Sequence, residues 1–553
     1  MSNLRKRELH VFKNFWNSGD PFVWLTGGAL TFSLIMIIAL IVIVAANALG
    51  FFWPDRLMQV KLKDGSKVVG QIRGHEEIPP SMHGKSEPQH RTQFQVANRD
   101  LYGADFRWVD DADITERSYP PDLIYFERWE WGALFGVLKQ ITQDGHIIAE
   151  GPQQSWQKFQ ELHAKTQETL ERSHAIERDE IGDINYNLER LRLEIKGLQQ
   201  QASGQPHVTQ RIAELEQEVT TWQRRYEEKA KELRALATEN ARYRMVVTAA
   251  GGREKDMPIV GVVRAFLPNQ MSWLERLGLY LTRLWEFVWE EPRESNTEGG
   301  IFPAIFGTVM MVFIMTIVVV PFGVLGALYL REYAKQGPLV RAVRIAVNNL
   351  AGVPSIVFGV FGLGFFIYLV GGSIDQLFFS EVLPTPTYGT GGILWASLTL
   401  ALLTVPVVIV ATEESLSAIP REWREGSLAL GATKWETIRK VVLPGALPGI
   451  LTGMILAMAR GAGEVAPLMI TGVVKLAPNL PLDSYWPFFH MERKFMHLGF
   501  HIYDVGFQSP NVEAAKPMVF MTTLLLIGVI VVLNLTAIMV RNRLRSRMRF
   551  GTF

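Results

Sequence analysis

The chain alternates long apolar runs with one long polar block. Six runs approach the length that crosses a ~30 Å hydrocarbon core, and they lie near residues 24–49, 302–330, 345–370, 393–411, 450–473 and 518–540. The first run ends in small residues, as a signal peptide does, but it is too long for a usual signal peptide. The pattern predicts an all-α polytopic membrane protein with six transmembrane helices, the first of them an uncleaved anchor.

Lysine and arginine mark alternate connections between these runs. They are concentrated in residues 1–23, 331–344 and 412–447 and in a basic tail at 542–553, whereas residues 371–392 contain neither. Cytoplasmic loops of membrane proteins carry such a positive excess. We therefore expect both termini and the 412–447 loop in the cytoplasm, and the polar block on the outer side.

The polar block at residues 50–299 is long enough to form a domain of its own. Residues 54–150 and 247–270 contain short alternating segments, including a pair around Asp64 and Gly65 that is typical of a β-hairpin. We expect these two pieces to form one small β domain, inserted between transmembrane helices 1 and 2.

Residues 152–246 have the spacing of long helices instead. Apolar residues recur there at alternating intervals of four and three, and a Gly/Pro break interrupts the series near residues 202–206. Such heptads with charged flanks are typical of a coiled coil, so we predict an antiparallel coiled-coil hairpin with arms of about 75 Å. The Trp-rich segment 272–291 is interpreted as an amphipathic interfacial helix, with packing on the β domain as the alternative.

Composition removes several kinds of chemistry. The 553 residues have a formal net charge of +1 and include no cysteine. Disulfides and thiolate sites are therefore excluded, and no general attraction to nucleic acid is expected. A histidine-rich cluster in the last outer loop favours a polar loop at the outer mouth, with a metal site as the alternative; its members are His490, Glu492, His497 and His501.

The 412–447 loop carries the most specific motif of the chain. It reads EGSLALGATKWETIRKVVLPG from Glu425 to Gly445. A short helix, a glycine turn and a second helix stopped by proline would make a rigid knob. The spacing resembles the EAA signature of ABC importer permeases, although its alanine pair and its isoleucine are replaced here. In that family the loop docks on a cytoplasmic ATPase, which implies ATPase-coupling roles for Glu425, Gly431, Ala432, Leu443 and Pro444.

The resemblance extends over about residues 300–545. The segments NNLAGVPSIVFG, ALGATKWETIRKVVLPGALPG and LNLTAIMVRNRLR are similar to the PstA family, one of two permease subunits of bacterial phosphate ABC importers. This resemblance implies a type I ABC importer permease fold over 300–541 and no enzymatic activity of the chain itself. It also implies a multi-pass location in the bacterial inner (cytoplasmic) membrane, with an enlarged periplasmic insert.

The same resemblance implies a set of partners. A PstC-type permease would complete the pathway, a PstB-type ATPase dimer would bind ATP and Mg, and a PstS-type periplasmic protein would deliver phosphate. The lipid bilayer and a phosphate-responsive sensor kinase complete the set, and no cofactor is bound directly. The alternatives are the sister permease PstC, a permease for phosphonate, sulfate or molybdate, and a coiled-coil transmembrane sensor, which would need a cytoplasmic signalling domain.

The fifth apolar run carries the candidate substrate chemistry. Arg460 and Glu464 are one helical turn apart, and buried charges in a span usually face a cavity or a partner. The arginine fork suits phosphate, and Glu464 would orient it or accept a hydrogen bond from protonated phosphate, which disfavours sulfate. A structural ion pair is the alternative. A stripe of small residues, suited to close helix packing, comprises Gly445, Gly449, Gly453, Ala457 and Gly461.

A break in the third apolar run is the second pathway candidate. Gly352 and Pro354 interrupt the run, and freed backbone groups at membrane depth often line a transport pathway. Nearby polar residues join the candidate pathway on this ground, namely Asn348, Asn349 and Ser355. A kink that serves packing only is the alternative.

Overall fold

The structure is a computed structural model that describes residues 18–78, 89–201, 206–509 and 512–549 of the chain. Three features of the sequence therefore lie wholly or partly outside the described residues. They are the basic residues at 5–13, the tip of the expected hairpin at 202–205, and the end of the basic tail at 550–553.

Seventeen α-helices occur in the described residues, and their order separates an insert at residues 50–299 from a membrane core. They are α1 (Asp20–Leu49), α2 (Arg99–Tyr102), α3 (Pro152–Ala175), α4 (Ile181–Gln201), α5 (Pro206–Ala241), α6 (Trp273–Trp289), α7 (Phe302–Leu328), α8 (Pro338–Leu350), α9 (Ser355–Phe361), α10 (Gly372–Phe378), α11 (Ile393–Ser417), α12 (Arg421–Ala429), α13 (Lys434–Thr437), α14 (Leu443–Gly463), α15 (Ala466–Thr471), α16 (Leu498–Tyr503) and α17 (Val512–Arg549).

Six continuous helical segments in the described residues are long and apolar enough to cross a membrane. They confirm the predicted six-span architecture and are Asp20–Leu49, Phe302–Tyr333, Ser355–Phe378, Ile393–Ser417, Lys434–Gly463 and Val512–Leu544. The centre of the bundle is formed by α7, α11 and α14, where Met311, Met315, Leu400 and Ala457 are buried together. Near its C-terminal end α1 joins the core through Ala48, which packs in one cluster with Met518 of α17.

The insert between spans one and two contains the β domain that the sequence predicts. Its strands are β1 (Met58–Leu62), β2 (Lys67–Ile78), β3 (Gln89–Gln95), β4 (Phe106–Asp110), β5 (Ile114–Ser118), β6 (Ile124–Arg128), β7 (Leu134–Gln143), β8 (His146–Glu150), β9 (Tyr243–Thr248), β10 (Glu254–Pro258), β11 (Val262–Phe266), β12 (Pro292–Arg293) and β13 (Glu298–Gly299).

Two antiparallel sheets build this domain. The first has the order β4-β3-β2-β1-β5, and the second has the order β10-β9-β7-β6-β11 with β8 added on β7. In the first sheet Val60 pairs with Val68 across the turn at Asp64 and Gly65, where Gly65 has a positive φ of 84°. The second sheet buries one face against α3, which contributes Phe159 and Leu162 to the same core.

Two long helical arms leave this sheet and return to it. The first arm consists of α3 and α4 joined by a π-helical turn at Ile176–Glu180, and the second arm is α5. Ion pairs join Arg172 to Glu232 at 3.2 Å and Glu194 to Arg211 at 3.1 Å, so the arms run antiparallel. Their coiled-coil packing stays a prediction.

The second arm ends earlier than the sequence pattern indicates. Helix α5 stops at Ala241, and Tyr243–Thr248 forms strand β9 between β7 and β10. Tyr243, Met245 and Val247 alternate with more exposed neighbours and point into the core of the second sheet. This period-2 burial is typical of a strand, and it gives the β domain a few residues that we assigned to the hairpin.

The third membrane span begins about ten residues later than the apolar run. Residues 338–350 form a separate amphipathic helix, α8, and the span begins at Ser355. Pro354 precedes the first turn of α9 with extended backbone angles. Proline fits the start of a helix, and it disfavours helical geometry in the residue before it, Val353. Gly352 and Pro354 therefore lie before the span and do not break it.

Candidate coupling loop and translocation site

The loop between spans four and five folds as two short helices around a glycine turn. Helix α12 ends near Leu430, and Gly431 has a φ of +87°, a conformation that strains residues with a side chain. Thr433 then caps α13, because its hydroxyl and the Glu436 side chain form a reciprocal capping box. We call residues 421–442 the coupling knob.

The coupling knob is fastened to the core at its base. The Arg424 guanidinium donates to the Glu332 carboxylate at 3.1 Å, to the Leu416 carbonyl at 2.7 Å and to the Ile419 carbonyl at 2.8 Å. Lys434 also donates to the Glu332 carbonyl. Glu332 lies in the last turn of the second span, so its contacts with Arg424 and Lys434 fix the knob to that span. No motif of the sequence singled out this pair.

The tip of the knob is exposed and apolar. Leu430 is 91% exposed, and Leu428 and Trp435 beside it are about half exposed. Glu425 is exposed on α12, and Ala432 is partly buried next to the turn. Single exposed apolar residues are ordinary, but three around one rigid turn resemble the centre of an interface. Sequence reasoning named Glu425 and Gly431 and missed Leu430.

The sequence suggested that Pro444 ends the second helix of the knob, but the helix continues through it. The chain stays helical from Lys434 to Gly463, and a π-helical turn at Ile438–Val442 joins the knob to the fifth span. Leu443 and Pro444 lie in the first turn of α14. A π turn shifts the hydrogen-bond pattern by one residue, which accommodates the missing N–H of proline without a break.

The small-residue stripe of α14 faces two neighbouring spans. A Cβ on Gly449 would lie 1.7 Å from Ser415 Oγ, and one on Gly453 would lie 2.7 Å from the Ala411 Cβ. Gly445 lies near Ile419, and Ala457 is fully buried. These positions let α14 approach α11 more closely than larger side chains would allow.

Arg460 and Glu464 lie where the fifth span is interrupted. Helix α14 ends at Gly463, Glu464 has extended backbone angles, and α15 begins at Ala466. Arg460 Nε is 3.7 Å from Glu464 Oε1, which is an ion pair without a hydrogen bond. Their side chains are 34% and 21% exposed, so both can still accept another partner.

This interruption lies level with the middle of the second span. A Cβ on Gly461 would lie 2.5 Å from Met315 Sδ, and Met315 is close to the midpoint of the second span, Phe302–Tyr333. A charged pair at a broken helix near the bilayer midplane has the geometry of transporter binding sites.

The two asparagine candidates lie at a different depth. Asn348 lines an open pocket of about 540 Å³ with Arg344, Glu413 and Ser417, at the C-terminal end of α11. Ser415 in that turn contacts Gly449, eleven residues before Arg460, which is about 16 Å along the helix. Asn349 is exposed on α8, and Ser355 begins α9. The structure therefore brings Arg460 and Glu464 together and places both asparagines elsewhere.

Comparison with known proteins bears on this arrangement. Residues 300–549 match the family model described as "Binding-protein-dependent transport system inner membrane component". "Probable ABC transporter permease protein YqgI" of Bacillus subtilis (strain 168) is 30% identical over 263 residues, which cover 46% of this chain and 80% of that protein.

The chain belongs to the ABC transporter permease family. It is therefore a multi-pass inner membrane transport subunit and not itself an enzyme, since the ATPase of such a system is a separate subunit.

Two further similarities are more limited. "Phosphate transport system permease protein PstA" of Mycobacterium leprae (strain TN) is 40% identical over 172 residues, which cover 31% of this chain and 51% of that protein. An inward-facing MetNI methionine ABC transporter structure aligns with 50% of this chain and 99% of that chain, at 20% identity and a TM-score of 0.31. This last similarity is too weak to add to the fold described above.

The histidines of the loop between spans five and six of the permease do not converge on one point. His490 contacts Asp483 at 2.9 Å and Glu492 at 3.1 Å. His497 and His501 are buried deeper, against neighbouring spans. In the described part of the chain no three His, Asp or Glu side chains form a group that could hold a metal ion.

A buried charged junction joins the β domain of the permease to the start of its second span. Glu127 of β6 accepts hydrogen bonds from Arg293 at 2.9 Å and from Arg283 of α6 at 3.4 Å. Burial by itself would raise the pKa of Glu127, but the neighbouring arginines outweigh it and lower that pKa. Burial and the charge of Glu127 raise the pKa of Glu298 in β13 to about 7.

Proposed function

We propose that this chain is the PstA-type permease subunit of an ATP-driven phosphate importer, with the type I arrangement of spans. The observation that carries the proposal is the Arg460–Glu464 pair at the interrupted fifth span, in a core similar to the phosphate permease PstA of Mycobacterium leprae. The chain spans about half of that relative, so substrate, partners and orientation are all part of the proposal.

Arg460 would bind the oxyanion, and Glu464 would favour an oxyanion that carries a proton. A guanidinium offers two parallel N–H donors to phosphate oxygens. The Glu464 carboxylate accepts a hydrogen bond from HPO4 or H2PO4, whereas sulfate has no proton to donate at neutral pH. A buried acceptor left without a donor is costly, and this cost favours phosphate.

The coupling knob would dock on the ATPase. The exposed tip at Leu430 and the free Glu425 side chain are presented to the cytoplasm in the proposed orientation, with both termini inside. A PstB-type ATPase dimer would hold ATP and Mg, and the rigid base at Arg424 and Glu332 would transmit its closure to the spans. A PstC-type permease would supply the other half of the pathway.

The outer side would face the periplasm and a PstS-type binding protein. Helix α6 would lie at the periplasmic surface of the inner membrane, because it exposes one apolar stripe. This stripe is formed by Trp273, Leu274, Leu281, Trp285 and Trp289. Aromatic residues of this kind favour the headgroup region. Sensing of phosphate status through a sensor kinase would use this assembled importer.

Uptake of radiolabelled phosphate tests the proposal. Cells that lack this chain would be complemented with wild type, Arg460→Ala or Arg460→Lys, with sulfate as competitor. We expect sulfate-resistant uptake in wild type, a loss of about a hundredfold in Arg460→Ala and partial recovery in Arg460→Lys, as for a bidentate charged contact. Membrane abundance and co-purification of the ATPase are the controls.

Two results would contradict the proposal at different points. Normal uptake by an abundant Arg460→Ala permease would make the Arg460–Glu464 pair structural. Absence of any phosphate phenotype on deletion, in cells without other phosphate importers, would assign another oxyanion to the chain.

A further inference from the structure

The first arm of the insert does not project away from the membrane core. Its helix α4 lies across the outer face of the core, where Tyr186 stacks on Tyr485 with ring centroids 4.5 Å apart. The Tyr186 hydroxyl also donates to the Trp486 carbonyl at 3.3 Å. Tyr485 and Trp486 belong to the outer loop between spans five and six. The sequence pattern predicted the arm but not this contact.

A second contact reaches another outer loop. Lys196 Nζ donates to the Leu383 carbonyl at 2.8 Å, in the connection between spans three and four. Tyr186 and Lys196 are ten residues apart on one helix, or about 15 Å. Helix α4 therefore bridges two outer loops of the core, and we call it the strap.

The strap is held lightly at these loops and firmly at its root. At the root, α3 packs Phe159 and Leu162 into the core of the second sheet. Towards the loops, α4 contacts the core through a ring stack and hydrogen bonds to two carbonyls. Such contacts contribute little each in water, so detachment costs far less than pulling α3 from the sheet.

A flexible point lies between the root and the strap. The π-helical turn at Ile176–Glu180 separates α3 from α4, and isolated π turns mark places where helices bend. Arg178 within this turn pairs with Glu291 at 2.7 Å through side chains that are both more than half exposed. Bending at this turn would lift Tyr186 and Lys196 while the root stays in place.

We propose that helix α4 is a releasable strap, which holds the two outer loops in the resting state and detaches from Tyr485 and Leu383 in each transport cycle. The inference rests on the proposed function, because an importer must open its outer mouth to receive substrate. The loops that the strap bridges end spans three to six, so movement of these spans shifts its anchors. Tyr186 and Lys196 are then positioning residues of the outer mouth.

Reversible cross-linking tests the strap directly. The chain contains no cysteine, so Tyr186→Cys with Tyr485→Cys provides the thiols for a short, reducible bifunctional reagent in the assembled transporter. We expect cross-linking to reduce phosphate uptake about tenfold or more, since it removes a conformation that the cycle needs, and reduction to restore it. The matched control is Arg172→Cys with Glu232→Cys, which links the two arms to each other and leaves uptake unchanged.

The outcomes separate the strap from the proposed substrate. Full uptake by the cross-linked transporter would overturn the strap. No phosphate uptake even before cross-linking, with wild type also inactive, would contradict the phosphate proposal instead. ATP hydrolysis by the purified transporter without phosphate then decides on the strap alone.

ATP hydrolysis without phosphate is compared between two substitutions of Tyr186. Tyr186→Ala removes the ring stack, whereas Tyr186→Phe keeps it and loses only the long hydroxyl contact. We expect ATP hydrolysis without phosphate to rise about fivefold in Tyr186→Ala, as loss of an aromatic pair predicts, and to stay near wild type in Tyr186→Phe. Equal hydrolysis in Tyr186→Ala and wild type, at equal assembly, would overturn the strap.

Discussion

The permease carries one protrusion on each side of its membrane core, and the two are built differently. The coupling knob is short, fixed at its base by Arg424 and Glu332, and apolar at its free tip around Leu430. The outer insert is large and polar, and its long arm turns back to contact the core at Tyr485 and Leu383. The knob leaves its apolar contact surface exposed, whereas the arm of the insert makes its contacts with the core of its own chain.

This difference separates a docking element from a restraining element. An exposed apolar tip on a rigid base has few contacts to give up, and it gains stability when a partner covers its apolar surface. An arm that already satisfies its donors on the core gains nothing by such docking, but its contacts bias the conformation of the core. The comparison predicts that substitutions in the knob abolish coupling, whereas substitutions in the insert shift equilibria.

Among substitutions in the two protrusions, the largest effect is expected at the glycine turn of the knob. Gly431→Val places a β-branched residue at a φ of +87°, at a cost of about 1–3 kcal/mol, and we expect uptake to fall more than about tenfold with loss of ATPase co-purification. Gly426→Ala is the matched control, because Gly426 lies in α12 with open space around it. Equal loss in both variants would show that any change in the knob disrupts it.

A smaller effect is expected at the tip. Leu430→Asp keeps the knob folded but puts a charge at the centre of the apolar tip, and we expect ATPase binding to weaken about tenfold. Leu430→Met retains an apolar contact and serves as the control. Binding measured in detergent between the purified permease and its ATPase decides the matter, and unchanged affinity in Leu430→Asp would place the docking surface elsewhere.

The smallest effect on transport is expected at Glu298, in the junction of the insert. Its folded-state pKa is about 7 against 4.5 for the free side chain, so folding holds the proton more tightly. The stability of the junction should be highest below about pH 4.5, fall as the pH rises to about 7, and stay at the lower level above that. The groups that face Glu298 are Glu127, Arg283, Arg293 and Glu294.

Hydrogen exchange of insert amides at pH 6 and pH 8 measures this dependence. Glu298→Gln keeps a neutral side chain, so we expect it to remove the pH dependence and to protect the junction at pH 8 by up to about 3 kcal/mol. Glu116→Gln, on the exposed face of β5, is the control. Identical pH profiles in wild type and Glu298→Gln would contradict the raised pKa.

Hydropathy was sufficient to predict the six spans but not the residues at which they begin and end. The third apolar run included Ile345 and Val347, which lie on the amphipathic helix α8 and not in the span. A window average cannot separate a helix in the membrane from one at its surface when apolar residues continue across the boundary. Pro354 was the local signal for the true start.

The site was only partly accessible from the sequence. The spacing of Arg460 and Glu464 placed them one turn apart, but their depth followed only from the contact of Gly461 with Met315. The strap was not predictable, because Tyr186 and Tyr485 are about three hundred residues apart in the chain and neither belongs to a motif. Local patterns carry secondary structure, whereas such distant pairs depend on the packing of the whole molecule.

The continuity of the helix from Lys434 to Gly463 has a mechanical consequence. At 1.5 Å per residue this segment is a rod of about 45 Å, with the knob at one end and Glu464 just beyond the other. In the proposed importer, movement of the knob by the ATPase would pass along this helix to Arg460, with bending at the π-helical turn at Ile438–Val442. The helix ends at the gap before Ala466, so this movement would change the distance between the Arg460–Glu464 pair and the short helix α15.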